Sequence, residues 1–202
     1  MSIQPKNLPA EERRAATVIA VIELAARQNP ADITTAAIAQ HMGLTQGAIF
    51  RHFSSKDAIW QAVMEWVEEN LLYKIDHAAY GIRSPLAALE AIFLSHVEFV
   101  AAHPGVPRMI FGELQRGETT RAKEITRDIM RSYRTRIYHH IVLGKEAGEL
   151  KSDLEEDVAV TLFLGIVQGL LVQALFAENM DIMRRNAPRV FAIYRRGIQA
   201  AL

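Results

Sequence analysis

No cysteine occurs among the 202 residues. That absence excludes disulfides, cysteine zinc ligands, cysteine nucleophiles and thiol redox sensing together. The opening stretch, MSIQPKNLPAEERR, lacks the apolar run of a secretory signal, so a reducing, cytoplasmic setting is expected. Charge of one sign is lacking as well. Lys and Arg number 23 and so do Asp and Glu, which gives the chain no global electrostatic pull toward nucleic acid. Residues 1–60 barely differ: Lys6, Arg13, Arg14, Arg27, Arg51 and Lys56 face Glu11, Glu12, Glu23, Asp32 and Asp57. A DNA-binding reading must therefore rest on pattern rather than charge.

Catalytic signatures are missing too. There is no glycine-rich phosphate loop, G-x-S-x-G elbow or H-E-x-x-H, and Glu68/Glu69 and Glu155/Glu156 read as solvated helix surface. A small helical enzyme is the weaker alternative. His96, His103, His139 and His140, with Glu113, are metal-ligand types. Yet no His-x3-His pair exists, and the adjacent His139 and His140 point to different helix faces. Neither metal nor cofactor is expected.

What the chain does have is apolar residues, 50% of the total, spaced at three and four. That excludes wholesale disorder and predicts an all-α fold. Helices are expected over about 9–28, 35–42, 46–52, 56–80, 84–103, 106–115, 118–147, 152–177 and 182–200. Asn29-Pro30, Gly81, Pro104-Gly105 and Gly148 supply the stops. Ser84-Pro85 is an N-cap with a first-turn proline, and Ser152-x-x-Glu155 fits a capping box.

Residues 158–177, VAVTLFLGIVQGLLVQALFA, form a charge-free run long enough to cross a bilayer. Acidic residues flank it (Glu155, Glu156, Asp157; Glu178), and the basic anchor that orients a spanning helix is absent. A helix apolar all round is otherwise a buried one, so burial in protein is expected and a membrane-associated chain is the lesser reading.

The most informative stretch runs from Thr34 to Phe53. A helix-turn-helix needs two short helices crossing over a tight turn. Ala39 is the small residue for the crossing, and Gly43 tolerates the positive φ of the turn. Ile38, Met42, Leu44, Ile49 and Phe53 are inward anchors, and Thr45 is placed to cap the second helix. Thr45, Gln46, Gly47, Ala48 and Phe50 to His52 are left outside. Gln can bond the N6/N7 edge of adenine, and Ala or a Thr methyl can touch the methyl of thymine.

The run from Ile33 to Trp60, ITTAAIAQHMGLTQGAIFRHFSSKDAIW, resembles the N-terminal domain of the TetR/AcrR regulators, and the match extends over about residues 10–62. It implies an all-α, nine-helix architecture. A three-helix DNA-binding domain (residues 1–55) precedes a helical effector-binding and dimerisation domain (56–202). It implies Thr45, Gln46, Gly47 and Ala48 at the groove, and Thr35, Phe50, His52 and Lys56 facing backbone phosphate, with Thr34 at the opening of the same helix. The family usually has Tyr where this chain has Phe50, so one phosphate-directed hydroxyl is absent. Arg51, at a variable position, is a compensating contact, and Arg13 and Arg14 are candidates for flanking phosphates. Fewer phosphate contacts mean a shallower salt dependence.

One recognition helix reads too few bases, so a homodimer on double-stranded, pseudo-palindromic operator DNA is expected. Gly165 and Gly169, flanked by Leu162, Ile166, Leu170 and Gln173, offer a close-approach helix face for the dimer, with Phe191, Tyr194 and Ile198 completing it; the core of the single chain is the alternative. Phe93, His96, Phe99, Met109, Phe111, Tyr133, Ile137 and His140 stand at inward spacings. With the resemblance they are expected to border a pocket for a small hydrophobic effector; filling of an ordinary core is the alternative for each.

Overall fold

The computed structural model of the chain describes residues 9–201. Among them are nine α-helices, α1 (Ala10–Ala25), α2 (Thr35–His41), α3 (Gln46–Phe50), α4 (Lys56–Ala79), α5 (Pro85–Ala102), α6 (Gly105–Gln115), α7 (Arg121–Glu146), α8 (Glu156–Phe176) and α9 (Asp181–Ile198). A single 3-10 turn, Pro30–Asp32, follows α1, and one isolated bridge pairs Leu150 with Gln199. The all-helical expectation and its order of elements hold.

The stops act as their chemistry requires. Gly43 has φ +64°. Beside it Leu44 N–H donates to the Ala39 carbonyl at 2.8 Å and Gly43 N–H to Gln40 at 3.1 Å, the paired bonds that close a helix over a left-handed residue. Ser84 Oγ accepts from Ala87 N–H at 3.1 Å, as an N-cap should. Two expected caps are different. Thr45 occupies the N-cap of α3 but its side chain makes no capping bond. The Ser152–Glu155 box does not form: α8 starts at Glu156, and Glu155 stands at its N-cap without a side-chain bond. Its entry is fixed instead from α7, where Lys145 Nζ donates to the Leu154 carbonyl (2.7 Å) and to Glu156 (2.6 Å).

The described residues fall into two compact units that interleave along the chain. The first runs to Glu69 and takes in His103–Asp128; the second holds Asn70–Ala102 and everything from Ile129. The start of α4, all of α6 and the start of α7 go with the helix-turn-helix in the first unit. The core of the first unit gathers Val21, Ile22, Ile33, Ile38, Ile49, Phe53, Ile59 and Val63. In the second unit Phe93, Tyr133, Phe163, Phe191 and Tyr194 are all buried. Their rings meet in tilted and edge-on pairs, Phe93 with Phe163 at 5.5 Å and with Phe191 at 5.2 Å between centroids. Such geometry matches the quadrupoles of aromatic rings.

Two helices, Pro85–Ala102 and Glu156–Phe176, are long and apolar enough to span a membrane. Each puts one face into the core of the second unit. α8 is nevertheless not buried all round, as its composition predicted. Val158, Leu162, Val172 and Phe176 remain exposed.

Candidate nucleic-acid interface

The helix-turn-helix is assembled from α2 and α3. Ile38, Ala39, Ile49 and Phe53 turn inward as expected, while Met42 and Leu44 are half-buried. Arg14 clamps the far end, its guanidinium 4.4 Å from the Phe53 ring centroid and donating to the His52 carbonyl at 2.5 Å. In this structure the Arg14 guanidinium is turned to a carbonyl and an aromatic face rather than outward. At the other end His41, the last residue of α2, meets Glu23 of α1 at 2.7 Å.

Thr45, Gln46 and Gly47 are exposed and Ala48 is half-buried. A β-carbon at Gly47 would find nothing within 4 Å, so packing within the chain does not demand the glycine. Phe50 and Arg51 are exposed and His52 half-exposed. Thr34 is used structurally, its hydroxyl accepting from Ala37 N–H at 3.1 Å. Thr35 Oγ1 instead accepts from Gln46 Nε2 at 2.6 Å.

Lys56 does not point outward in this structure. Its ammonium donates to the Ala31 carbonyl at 3.2 Å and lies 4.7 Å from the Trp60 ring centroid. Burial, and then the nearby Arg116 charge, pull its pKa below the usual lysine value. Arg116 joins Asp57 at 3.1 Å and Glu113 at 3.3 Å. Glu113, only 2% exposed, also accepts from Thr120 Oγ1 at 2.8 Å. A cavity of about 380 Å³ opens among Asn29, Ala31, Lys56, Trp60, Glu113 and Arg116. Sequence reading missed this polar cluster, because Glu113 and Arg116 lie far along the chain from Lys56.

The family model for bacterial regulatory proteins, tetR family, matches residues 20–63, from the middle of α1 into α4. Over those residues this chain resembles that family. It is a DNA-binding transcriptional regulator rather than an enzyme. The nucleoid occlusion factor SlmA of Shewanella pealeana is 26% identical over 147 residues, 72% of this chain and 74% of its own. Its Marinomonas counterpart is 30% identical over 112 residues, 55% and 57% of the two chains. Among solved structures, the ketosteroid transcriptional regulator KstR2 of Mycobacterium tuberculosis superposes with a TM-score of 0.77 at 19% identity, covering 94% of this chain and 96% of that one. The transcriptional regulator FadR of Bacillus subtilis, solved with stearoyl-CoA, gives 0.77 at 16% identity over 91% and 98%. At such identities the structures speak for the fold.

Within the second unit of this regulator, α8 exposes Leu162, Gly165, Gly169 and Gln173, half-buries Ile166 and buries Leu170. On α9, Phe191, Tyr194 and Ile198 face the core; Tyr194 donates its hydroxyl to the Ala159 carbonyl at 3.0 Å. They are not on the open face because α9 is amphipathic and its apolar stripe packs inward. The outward positions include Arg189, Ala192, Ile193 and Arg196, with Ile193 at 62% exposure. Sequence reading also passed over Val158, Val172 and Phe176, the last 81% exposed.

Of the residues expected around an effector, Phe93, Phe99, Tyr133 and Ile137 are buried in the second unit, and His96 and His140 are half-buried there. Met109 and Phe111 lie on α6 in the first unit, Met109 buried and Phe111 exposed. His96 Nδ1 is 2.9 Å from the Tyr133 hydroxyl, with the rings edge-on at 4.9 Å. Burial lowers the pKa of His96 to about 4 and raises that of Tyr133, so a neutral hydrogen-bonded pair sits among aromatic rings. Burial also lowers His140, helped by His139 and opposed by Asp76.

Proposed function

We propose that this regulator binds a pseudo-palindromic operator as a homodimer, acts as a repressor in the cytoplasm, and is released by a small apolar effector. The observation that carries the reading is the open stripe on α8. Val158, Leu162, Gly165, Gly169, Val172 and Phe176 recur at alternating spacings of four and three, and all are exposed. That is the spacing of a helix-helix seam, and neither Gly165 nor Gly169 has a neighbour within 4 Å of a built β-carbon. An apolar stripe of this kind calls for a cover. A second copy supplies one by two-fold symmetry, and the same symmetry duplicates the reading residues Thr45 to Ala48 for two half-sites.

Residues 1–55 are assigned to DNA and 56–202 to effector and dimer functions. The effector is placed beside His96 and Tyr133, where a single polar pair among rings suits an apolar ligand with one hydrogen-bonding group. The ketosteroid regulator and the stearoyl-CoA complex among the similar folds support an apolar ligand. α4 contributes to both units and is the natural lever. A coupling of about 1–3 kcal/mol weakens operator binding roughly 5- to 150-fold.

The test is selection of duplexes from a randomised pool by the purified chain, followed by footprinting and sedimentation. Two symmetric half-sites in successive major grooves, bound by a dimer, are expected. A monomer with no preference among duplexes overturns the reading.

A further inference from the structure

The first residues of α2 and α3, eleven apart in sequence, are joined by the bond from Gln46 Nε2 to Thr35 Oγ1 at 2.6 Å. Gln46 is otherwise exposed, and a free glutamine side chain loses substantial rotamer entropy when a partner orders it. Here one torsional arrangement is already held before any partner arrives.

The hydrogen-bond inventory gives the tether a direction. A glutamine amide has two N–H groups and one carbonyl oxygen. One N–H is used on Thr35. The second N–H and Oε1 stay free, and these are the two groups that a bidentate contact with adenine N7 and N6 requires. Thr35, having accepted at Oγ1, keeps its own proton to donate. A phosphate oxygen accepts only, so that proton suits a backbone phosphate. Thr34 also keeps a proton, but its hydroxyl accepts from Ala37 N–H as the cap of α2, whereas the Gln46 amide is bonded to Thr35.

We propose that Thr35 is a positioning residue for base reading: it fixes the Gln46 amide and links it to the DNA backbone in one relay, phosphate to hydroxyl to amide to base. The inference rests on α3 entering the groove, as argued above, and adds to it that sequence preference is set partly from α2.

The test compares the full-length chain and its Thr35→Val, Thr35→Ser, Gln46→Ala and Thr35→Val/Gln46→Ala variants. Affinity is measured for a duplex selected by the wild type and for that duplex altered at each position in turn. The base read by Gln46 is the position whose preference Gln46→Ala flattens. Thr35→Val is expected to reduce discrimination at that same position roughly two- to tenfold, to add nothing in the Gln46→Ala background, and to be rescued by Thr35→Ser. Unchanged thermal melting of the variants ties the effect to the interface. If Thr35→Val instead weakens every duplex by one common factor and leaves the preference intact, Thr35 is a plain phosphate contact and the relay is overturned. If Gln46→Ala flattens no position although the wild type selects a sequence, Gln46 is not a reader and the relay falls with it. A wild type that selects no duplex overturns the parent reading instead, which separates the two failures.

Discussion

Gly105 lies so close to the backbone of Ile22 that a β-carbon on it would stand 1.9 Å from the Ile22 carbonyl oxygen and 2.9 Å from the amide nitrogen of Ala26. α6 thus begins by pressing its backbone onto the last turn of α1, and no flexible side-chain end is there to yield. Gly105→Ala is expected to destabilise the first unit by about 3 kcal/mol or more, the upper range of overpacking costs. Gly117→Ala, where a β-carbon meets open space, should be near neutral. Thermal melting of the two variants checks this, and equal melting temperatures would refute the contact.

His96 makes stability depend on pH. The unfolded chain protonates this imidazole near its ordinary value of 6.5, the folded chain only at about 4. Acid therefore favours the unfolded state. The contribution is fully present above pH 6.5 and is lost as pH falls from there toward 4. Its size is up to about 3 kcal/mol, from the linkage between a pKa shift and stability. His140, also lowered by burial, acts in the same sense. In His96→Gln the slope of unfolding free energy between pH 6.5 and 4 should shrink; a slope identical to wild type would mean that the ring is not held neutral.

Much of this was legible in the residues because the controlling signals are local. Gly43, Ala39, Ile49 and Phe53 specify the helix-turn-helix through spacing alone, and Ser84-Pro85, Gly81 and Gly148 mark helix ends by backbone conformation. What escaped depends on contacts distant in sequence. Lys56 turns to the Ala31 carbonyl and Trp60, and Arg14 to the His52 carbonyl, choices that periodicity does not encode. α9 is a different case. Phe191, Tyr194 and Ile198 form its apolar stripe, and an apolar stripe alone does not say whether it meets its own core or a second copy. The exposed Ile193 settles which side stays open.

Gly47 separates folding from binding. Within the chain a methyl group fits there without contact, and alanine has the better helix propensity by about 1 kcal/mol. Gly47→Ala is therefore expected to leave stability equal or higher. It should still weaken operator binding by roughly tenfold, about 1.4 kcal/mol, as the added methyl stands between α3 and the DNA it approaches. Gel-shift titration beside thermal melting tests both halves. Unchanged affinity would place Gly47 away from the DNA surface.

The same separation applies to the seam on α8. Gly165→Ala and Gly169→Ala should each stabilise the isolated protomer by up to about 1 kcal/mol through helix propensity, since no neighbour lies within 4 Å of either built β-carbon. If a second copy's helix approaches closely there, the added methyls hold the two helices apart, and the dimer dissociation constant rises. Leu162→Glu, charging the centre of the stripe, should go further and give a folded monomer with greatly reduced operator affinity, because single half-sites bind weakly. By contrast Phe191→Ala removes a ring from the protomer core and should cost about 3–5 kcal/mol of stability. Sedimentation at graded concentrations, read with melting curves, distinguishes the two classes. A Leu162→Glu chain that stays dimeric and binds operator at wild-type strength would move the interface off α8.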